Sequence, residues 1–490
     1  MFKHIRWIAF FFLAMAITLV LASCKEEVKN HVCGEWTVVK EPTCSEKGLR
    51  TRVCSVCGEE EFEDISIVAH VYNEIRHCVW CGRMEATESL RFTLSRDGKS
   101  YVVSGYNGSK ADLVLPCEYN GLPVSAIAES AFAKNTNIVT IYIHSSMTEI
   151  GKDAFASCIS LTSVNLPESI KKIDEGAFSG CEKLVEVINH TSLDIKAGSD
   201  LHGGVAKNAR FVHESNISKI KNTDDFLSFE DGDTYLLGYV GNEKNIVLPE
   251  SIDGKSYSIY KYAFAYSGIS SLEITKGASH VEKFAFNYCS SLERVSVTAE
   301  NISFEESVFE SCMFLKEAAF AGGIKNLGTS MFRNCASLAR VTLPKALEKV
   351  PESVFRACDA LESVALGAAV KAVEDYAFYG CSSLSSVAFE NGAETIGMYA
   401  FSGCNSLSVL KLPATVKEIG DFGFYSCKEL QSVTMPSELE RIGNYAFKDC
   451  TSLRSMSYDK TMLKWGGIVK GAEWNTNTAG ISVICSDGLM

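Results

Sequence analysis

Nineteen cysteines stand among the 490 residues, and their spacing is the part of this sequence that could do chemistry. Between residues 31 and 82 lie His31, Cys33, Cys44, Cys54, Cys57, His70, His77, Cys78 and Cys81. Two Cys-x-x-Cys pairs, Cys54/Cys57 and Cys78/Cys81, each run into a glycine, Gly58 and Gly82. Thiolate pairs at this spacing, with imidazoles close by, are what tetrahedral zinc requires. The stretch is too short and polar to bury much core, so something covalent or metallic must hold it. The expected metal ligands are Cys44, Cys54, Cys57, His70, Cys78 and Cys81 in a zinc-ribbon-like module, with the fourth ligand of the first site open among His31, Cys33 and His70. Disulfides among the six cysteines are the alternative, which an oxidising compartment permits. Thiol-disulfide catalysis is disfavoured, because no strand-then-helix pattern surrounds the pairs.

A second set of cysteines belongs to a repeat. Ala-Phe-x-x-Cys-x-x-Leu-x-x-Val-x-Leu-Pro and its variants recur with Phe at 132, 155 and 178, then at 264, 286, 309, 332, 355, 378, 401, 424 and 447. Within each block the step is 23 residues except from 264 to 286, where it is 22. A fixed period in this range, with one apolar alternation per turn (Leu161, Val164, Leu166), predicts a solenoid with one short parallel strand per turn. Ten cysteines, Cys158, Cys181, Cys289, Cys312, Cys335, Cys358, Cys381, Cys404, Cys427 and Cys450, then fall in one column. Neighbours in that column would sit about 4.8 Å apart, within disulfide reach. Asn135 and Ser267 occupy the same position, which suits a small packed residue better than one that must pair. Buried thiols are therefore expected, and the Phe column is read as core.

These marks, the Ala-Phe pair, the Cys three residues on and the Leu-Pro after the strand (Leu166-Pro167, Leu343-Pro344, Leu412-Pro413), resemble the BspA-type, or treponemal, leucine-rich repeat over roughly residues 88 to 490. The resemblance implies an α/β leucine-rich repeat solenoid without a catalytic site, of a kind often found as bacterial surface proteins that bind host or neighbouring-cell ligands. The cysteine segment is similar to a short module appended to such proteins, through His31, Gly34, Trp36, Thr43-Cys44, Gly48 and Cys54-x-x-Cys57-Gly58.

The N-terminus supplies an address. Lys3 and Arg6 precede an apolar run from Trp7 to Val20, a pattern of secretory signals. It ends in Leu21-Ala22-Ser23-Cys24, which resembles the bacterial lipobox, so Cys24 is the expected lipid attachment. Lys25-Glu26-Glu27 looks like the acidic surface-export signal of some Bacteroidetes lipoproteins.

Comparison of the chain with itself suggests its organisation. Residues 90–132 resemble 227–264, and both open with a hairpin-like alternation around a Gly/Asp turn, as a solenoid cap should. The period lapses over 188–222, which reads as the end of a first array and a junction. The expected division is 1–23 signal peptide, 24–30 lipidated linker, 31–87 Cys/His module, 88–222 first capped array and 223–490 second capped array. The segment from Tyr458, with Trp465 and Trp474, is the expected C-terminal cap.

Composition narrows function. A net charge of −13, from 47 basic and 60 acidic side chains, argues against nucleic acid as partner. The Gly-x-Ser-x-Gly, His-Glu-x-x-His and phosphate-loop motifs do not occur, so an enzyme is not expected. The outward strand positions of the second array, among them Arg294, Glu317, Arg340, Ser363, Ser386, Lys411 and Ser432, form the expected partner-binding face. The function this supports is a lipid-anchored bacterial cell-surface protein that binds protein or glycan partners, with an envelope scaffold lacking host contact as the alternative. Zinc is the one cofactor suggested.

Overall fold

The structure is a computed structural model that describes residues 33–43, 46–66 and 86–490. The chain divides into two compact units, Met1–Ala86 and Thr87–Met490.

In the first unit, strands Thr37–Lys40, Gly48–Val53 and Glu60–Ile65 form an antiparallel sheet with Gly48–Val53 in the middle. Little of it is buried, so its side chains work across the strands instead. Arg50 and Arg52, on one face of the middle strand, lie 4.7 and 4.6 Å from the Trp36 ring centroid. The same two guanidiniums pair with Glu63 and Glu61 opposite. Exposed pairs of this kind contribute roughly 0.2–1 kcal/mol each, too little to hold a sheet alone.

The second unit is a β-solenoid. In one rung, Ser363–Leu366 alternates outward Ser363 and Ala365 with inward Val364 and Leu366, the two-residue period of a strand with one face in the core. Ser363 pairs in parallel with Ser386, one sequence period on, and Val364 with Val387. The rung holds a second strand as well. Ala372–Val373 belongs to a six-stranded parallel sheet that runs through Lys349–Val350, Thr395–Ile396, Glu418–Ile419, Arg441–Ile442 and Val469–Lys470. The expectation of one strand per turn is thus corrected to two.

The expected α/β class is corrected too: the fold is β with little helix. Among the described residues the helices are Leu201–Gly204, itself interrupted by non-helical dihedrals, and Met462–Gly467. The segment that closes each rung is built from turns for a backbone reason. Ser353 and Ala357 both take positive φ, 55° and 58°, and a left-handed residue every fourth position stops a helix from propagating. The alternate N–H groups freed in this way point along the solenoid. Those of Ser353, Phe355 and Ala357 donate to the carbonyls of Asp375, Ala377 and Tyr379 in the next rung, at 3.0, 2.9 and 2.8 Å. The N–H groups between them close turns inside the rung, Arg356 to Ser353 and Cys358 to Phe355. Turns and strands alike therefore satisfy their backbone from rung to rung.

Inside run two columns. The Phe rings stack with centroids 4.9 Å apart at Phe132–Phe155 and 5.7 Å at Phe332–Phe355, the widest step. Each of the ten column cysteines donates its Sγ–H to the carbonyl of the Phe in the preceding rung, from Cys158 to Phe132 through Cys450 to Phe424, at 3.1–3.3 Å. They are thiols and not bridges. Where the column begins, Asn135 Oδ1 accepts from the N–H groups of Asn137 and Ile138, and Ser267 Oγ lies 3.3 Å from Cys289 Sγ.

The ends are closed by hairpins. Leu90–Leu94 pairs antiparallel with Tyr101–Tyr106, which pairs in parallel with Leu122–Ile127. Phe226–Asp231 and Asp233–Tyr239 repeat the device ahead of Tyr257–Ile259. At the C-terminus Trp465, on the helix capped by Thr461, and strand Ser482–Cys485 cover the last rung. The stretch 188–222 is more than a junction, because Phe211–His213 adds a further parallel strand beside Glu186–Asn189. The step there is Glu186 to Phe211, longer than the repeat, which is why the period vanishes from the sequence while the ladder continues. Buried Glu186 anchors this rung by accepting from Ser163 Oγ at 2.8 Å, Ser218 Oγ at 2.6 Å and the N–H of Lys219. A small apolar cluster of its own, Val185, Leu227, Phe229, Leu237 and Tyr260, takes residues from both arrays, and Lys261 pairs with Glu182 across them at 3.1 Å.

Two outcomes follow from the columns. Phe355→Ala should cost about 3–5 kcal/mol in denaturant melts, whereas the outward Ser386→Ala should change stability by under about 0.5 kcal/mol. Burial raises the thiol pKa to about 12 at Cys158 and well above the ordinary value at Cys181, Cys289, Cys312, Cys358, Cys404 and Cys427. A group whose folded pKa is raised gives stability that is complete below the unfolded thiol value and is lost above it. Each pH unit above about 9 should therefore remove roughly 1.4 kcal/mol per thiol, so thermal melts from pH 8 to 11 should show a steep collapse with native labelling by iodoacetamide absent below it.

Candidate interaction surface

Stacking the strands brings the seven expected face residues to one side. Arg294, Glu317 and Arg340 are consecutive register partners, and Glu317 accepts from the Arg340 guanidinium at 3.5 Å. Ser363 pairs with Ser386, and Ser432 lies between Val409 and Ser455. Lys411 is in register with Thr434 and Ser457. All seven are exposed or half-buried. The face is not one uninterrupted sheet, however. Its strands, of two to four residues, are hydrogen-bonded in groups of five, two and five, with breaks after Arg340–Thr342 and after Ser386–Phe389.

Two hollows mark this face. One of about 300 Å³ holds Arg294 and Glu317 with Asn245, Val247 and Glu273. The other, of about 890 Å³, lies where the last strands meet the C-terminal cap, between Phe389, Lys411, Ser457, Tyr458 and Ile484. Exposed Val247 at the first hollow and Ile484 at the second add an apolar component beside the serines and charges. Such a mixture suits recognition by contact and hydrogen bonding.

A second surface was not anticipated from the sequence. Two residues before the core Phe, Tyr376, Tyr399, Phe422 and Tyr445 form a ladder on the turn side, with centroids 5.1, 4.4 and 4.8 Å apart. All four sit at positive φ, between 54° and 57°, a region that bulky side chains rarely adopt. Ser307, Ser330 and Ser353 fill the same position in the preceding rungs, so the backbone imposes the conformation whatever the side chain. Arg356 caps the ladder, 5.3 and 5.1 Å from the Tyr376 and Tyr379 rings, and Lys448 lies 4.9 Å from Tyr445. The signal was available, since an aromatic recurs two places before Phe378, Phe401, Phe424 and Phe447.

Of the expected metal ligands, Cys54 and Cys57 stand at the turn after Gly48–Val53, where the Gly58 N–H donates to the Cys54 carbonyl at 2.9 Å. Cys33 faces Cys54 as an antiparallel bridge partner, which puts it beside the first Cys-x-x-Cys pair. Cys44, His70, Cys78 and Cys81, and likewise Cys24, lie outside the described residues. Among the described residues no group of three or more metal-binding side chains is assembled.

The rung geometry agrees with a family description. The BspA-type leucine-rich repeat matches in six copies over residues 121–224, 257–385 and 371–467, well over half of the chain. The chain belongs to the BspA-type leucine-rich repeat family. No curated protein sequence matches it. Among solved structures, a leucine-rich repeat protein from Bacteroides ovatus is 22% identical, with 80% of this chain and 98% of that one covered at a TM-score of 0.40. A leucine-rich cell surface protein from Faecalibacterium prausnitzii is 20% identical, over 79% and 97%, at 0.36. A leucine-rich repeat protein from Eubacterium ventriosum is 16% identical, over 80% and 94%, at 0.40. BspA-type rungs account here for both surfaces: the strand supplies the face and the paired left-handed turn residues supply the aromatic edge.

Because serine already stands in the same column, Tyr399→Ser keeps the backbone and removes three ring contacts, with Tyr376, Tyr379 and Phe422. It should cost about 1–3 kcal/mol by denaturant melts. A cost near zero would mean that the ladder adds nothing to the fold.

Proposed function

We propose that this BspA-type protein is a lipid-anchored bacterial cell-surface protein that binds protein or glycan partners through the strand face of its second array, without catalysis. The observation that carries the reading is the register itself: Arg294, Glu317, Arg340, Ser363, Ser386, Lys411 and Ser432 stand outward on successive strands, with hollows at both ends of the row. A rigid ladder of side chains at fixed spacing binds without the ordering cost that a flexible loop incurs. BspA-type proteins are typically found on the bacterial surface, which supports an outward-facing role. Cys24, with its preceding Leu-Ala-Ser, is the attachment residue in this reading, and several acyl chains on one cysteine make a firm anchor. No helix among the described residues is long and apolar enough to cross a membrane.

Zinc in the cysteine unit is part of the same proposal. The residues to hold it are Cys54 and Cys57 with Cys44, His70, Cys78 and Cys81, and the bridge between Cys33 and Cys54 favours Cys33 over His31 as the remaining ligand. A metal there would give the exposed sheet the cross-link its weak ion pairs do not supply.

The test is a paired one on intact cells and purified protein. Protease shaving should release solenoid peptides from wild-type cells, and Cys24→Ala should move the protein out of the membrane fraction. Purified protein should bind host matrix proteins, neighbouring bacteria or glycans saturably. Ser386→Arg together with Lys411→Glu should weaken that binding at least about tenfold at unchanged melting temperature. A solenoid never reached by protease would sink the surface role and favour the envelope scaffold.

A further inference from the structure

Array two packs against array one and leaves a cleft of about 300 Å³ between them, at whose wall stands a buried lysine. Lys183 occupies the position just before the core leucine of its rung, as Asn137 and Ser160 do in the two rungs before, and all three line the cleft. In the rungs of array two this position carries Gly, Ser, Ala, Phe or Glu. Here hairpin Phe226–Asp231/Asp233–Tyr239 and residues Ala263–Ile269 cover it, so that Lys183 is only 6% exposed.

The lysine is held but not neutralised. Its Nζ donates to the Ala263 carbonyl at 3.0 Å, which uses one of three N–H bonds. Among the described residues it has no ion-pair partner, and neighbouring Glu182 is engaged by Lys261 at 3.1 Å. Burial alone lowers its pKa, to about 8, with no carboxylate acting against the shift. A buried ammonium without a counter-charge is costly, and folds keep one mainly where something anionic completes it. The backbone leaves room for this. A Cβ on Gly238 would stand 3.3 Å from Lys183 Nζ and 2.8 Å from the Ala263 carbonyl oxygen, so any larger residue there would crowd the ammonium.

The rest of the lining states what kind of anion fits. Ser109, Thr136 and Ser160 contribute hydroxyls from one array, and Tyr239 and Tyr266 from the other. Lys244 lies at the same cleft with no ion-pair partner among the described residues, and Glu243 beside it adds one negative charge. One buried ammonium suits a single carboxylate, Glu243 opposes a dianion such as phosphate, and hydroxyls and a carboxylate suit a ligand that itself carries hydroxyls. The volume is at the small end of ligand pockets.

We propose that the cleft between the arrays binds a hydroxylated carboxylate of the sugar-acid class, with the Lys183 ammonium holding the carboxylate. The site goes beyond the strand-face reading and does not depend on it. The ligand could be a free sugar acid or the end residue of an acidic glycan, which share this chemistry.

Isothermal titration of the full chain with D-galacturonate, D-galactose, trigalacturonate, inorganic phosphate and glycylglycine tests it. Galacturonate should bind saturably, with galactose weaker by roughly 10- to 100-fold for want of the charge. Lys183→Met should lose binding by a similar factor. Because that change could also loosen the junction, Ser160→Phe, which fills the cleft from a half-buried position, should abolish binding as well at unchanged melting temperature. Trigalacturonate as tight as the monomer or tighter identifies a glycan end, and weaker binding identifies a free sugar acid. The proposal is overturned if galacturonate does not bind, if it binds equally to Lys183→Met and Ser160→Phe, or if phosphate or glycylglycine binds as tightly.

Discussion

Each rung rests on a carbonyl that accepts twice. The Phe355 oxygen takes the N–H of Cys358 in its own rung at 3.1 Å and the Sγ–H of Cys381 in the next, also at 3.1 Å. The first bond closes the turn and the second ties neighbouring rungs, so one atom links local structure to the stack. This is why cysteine fills the column: it is apolar enough for full burial, small enough for the turn, and still a donor. The Phe side chain of the same residue then stacks on its counterparts above and below. Remove the ring and the turn loses its inner wall. Remove the thiol and a buried lone pair goes unanswered.

Much of this was legible because the repeat is strict. Phe, Cys and Leu at fixed intervals gave the core, and the alternation around residues 90–111 and 227–242 gave hairpins where hairpins stand. Several features escaped. The rung at Phe211–His213 keeps the ladder but abandons the consensus, its place fixed by buried Glu186 and not by an apolar period. The two-residue strands are too short for any alternation to announce them. The α/β class implied by the resemblance fails at the turn segment, since nothing in residue type at Ser353 or Ala357 declares a left-handed backbone. The seven face residues were found by strand alternation alone, whereas the burial of Lys183 depends on a hairpin more than forty residues further along the chain and could not be read locally.

The rungs of the second array therefore present two surfaces for different physical reasons. The strand face is set by β geometry, which leaves every second residue free of the core and available to vary. The turn edge is set by backbone strain, which tolerates Ser, Asp, Gly, Tyr or Phe at one position and so lets aromatic rings align over four successive rungs without altering the interior. The junction is of a third kind, since it exists only where a second hairpin meets the flank of the first array.

The carbonyl that accepts twice also sets the unit in which such a chain can grow or shrink. The main bonds between rungs in the long array join the same pair of repeat positions from one rung to the next. Excising one whole period would leave each remaining donor facing an acceptor of the same kind, while losing any other number of residues would put thiols opposite side chains and strands out of step. The 22-residue step between Phe264 and Phe286 shows the slack available, a single residue taken up outside the Phe-to-Cys turn. Length is thus adjustable in discrete increments, and the caps and the inter-array cleft, lying at the ends, are indifferent to how many rungs stand between them.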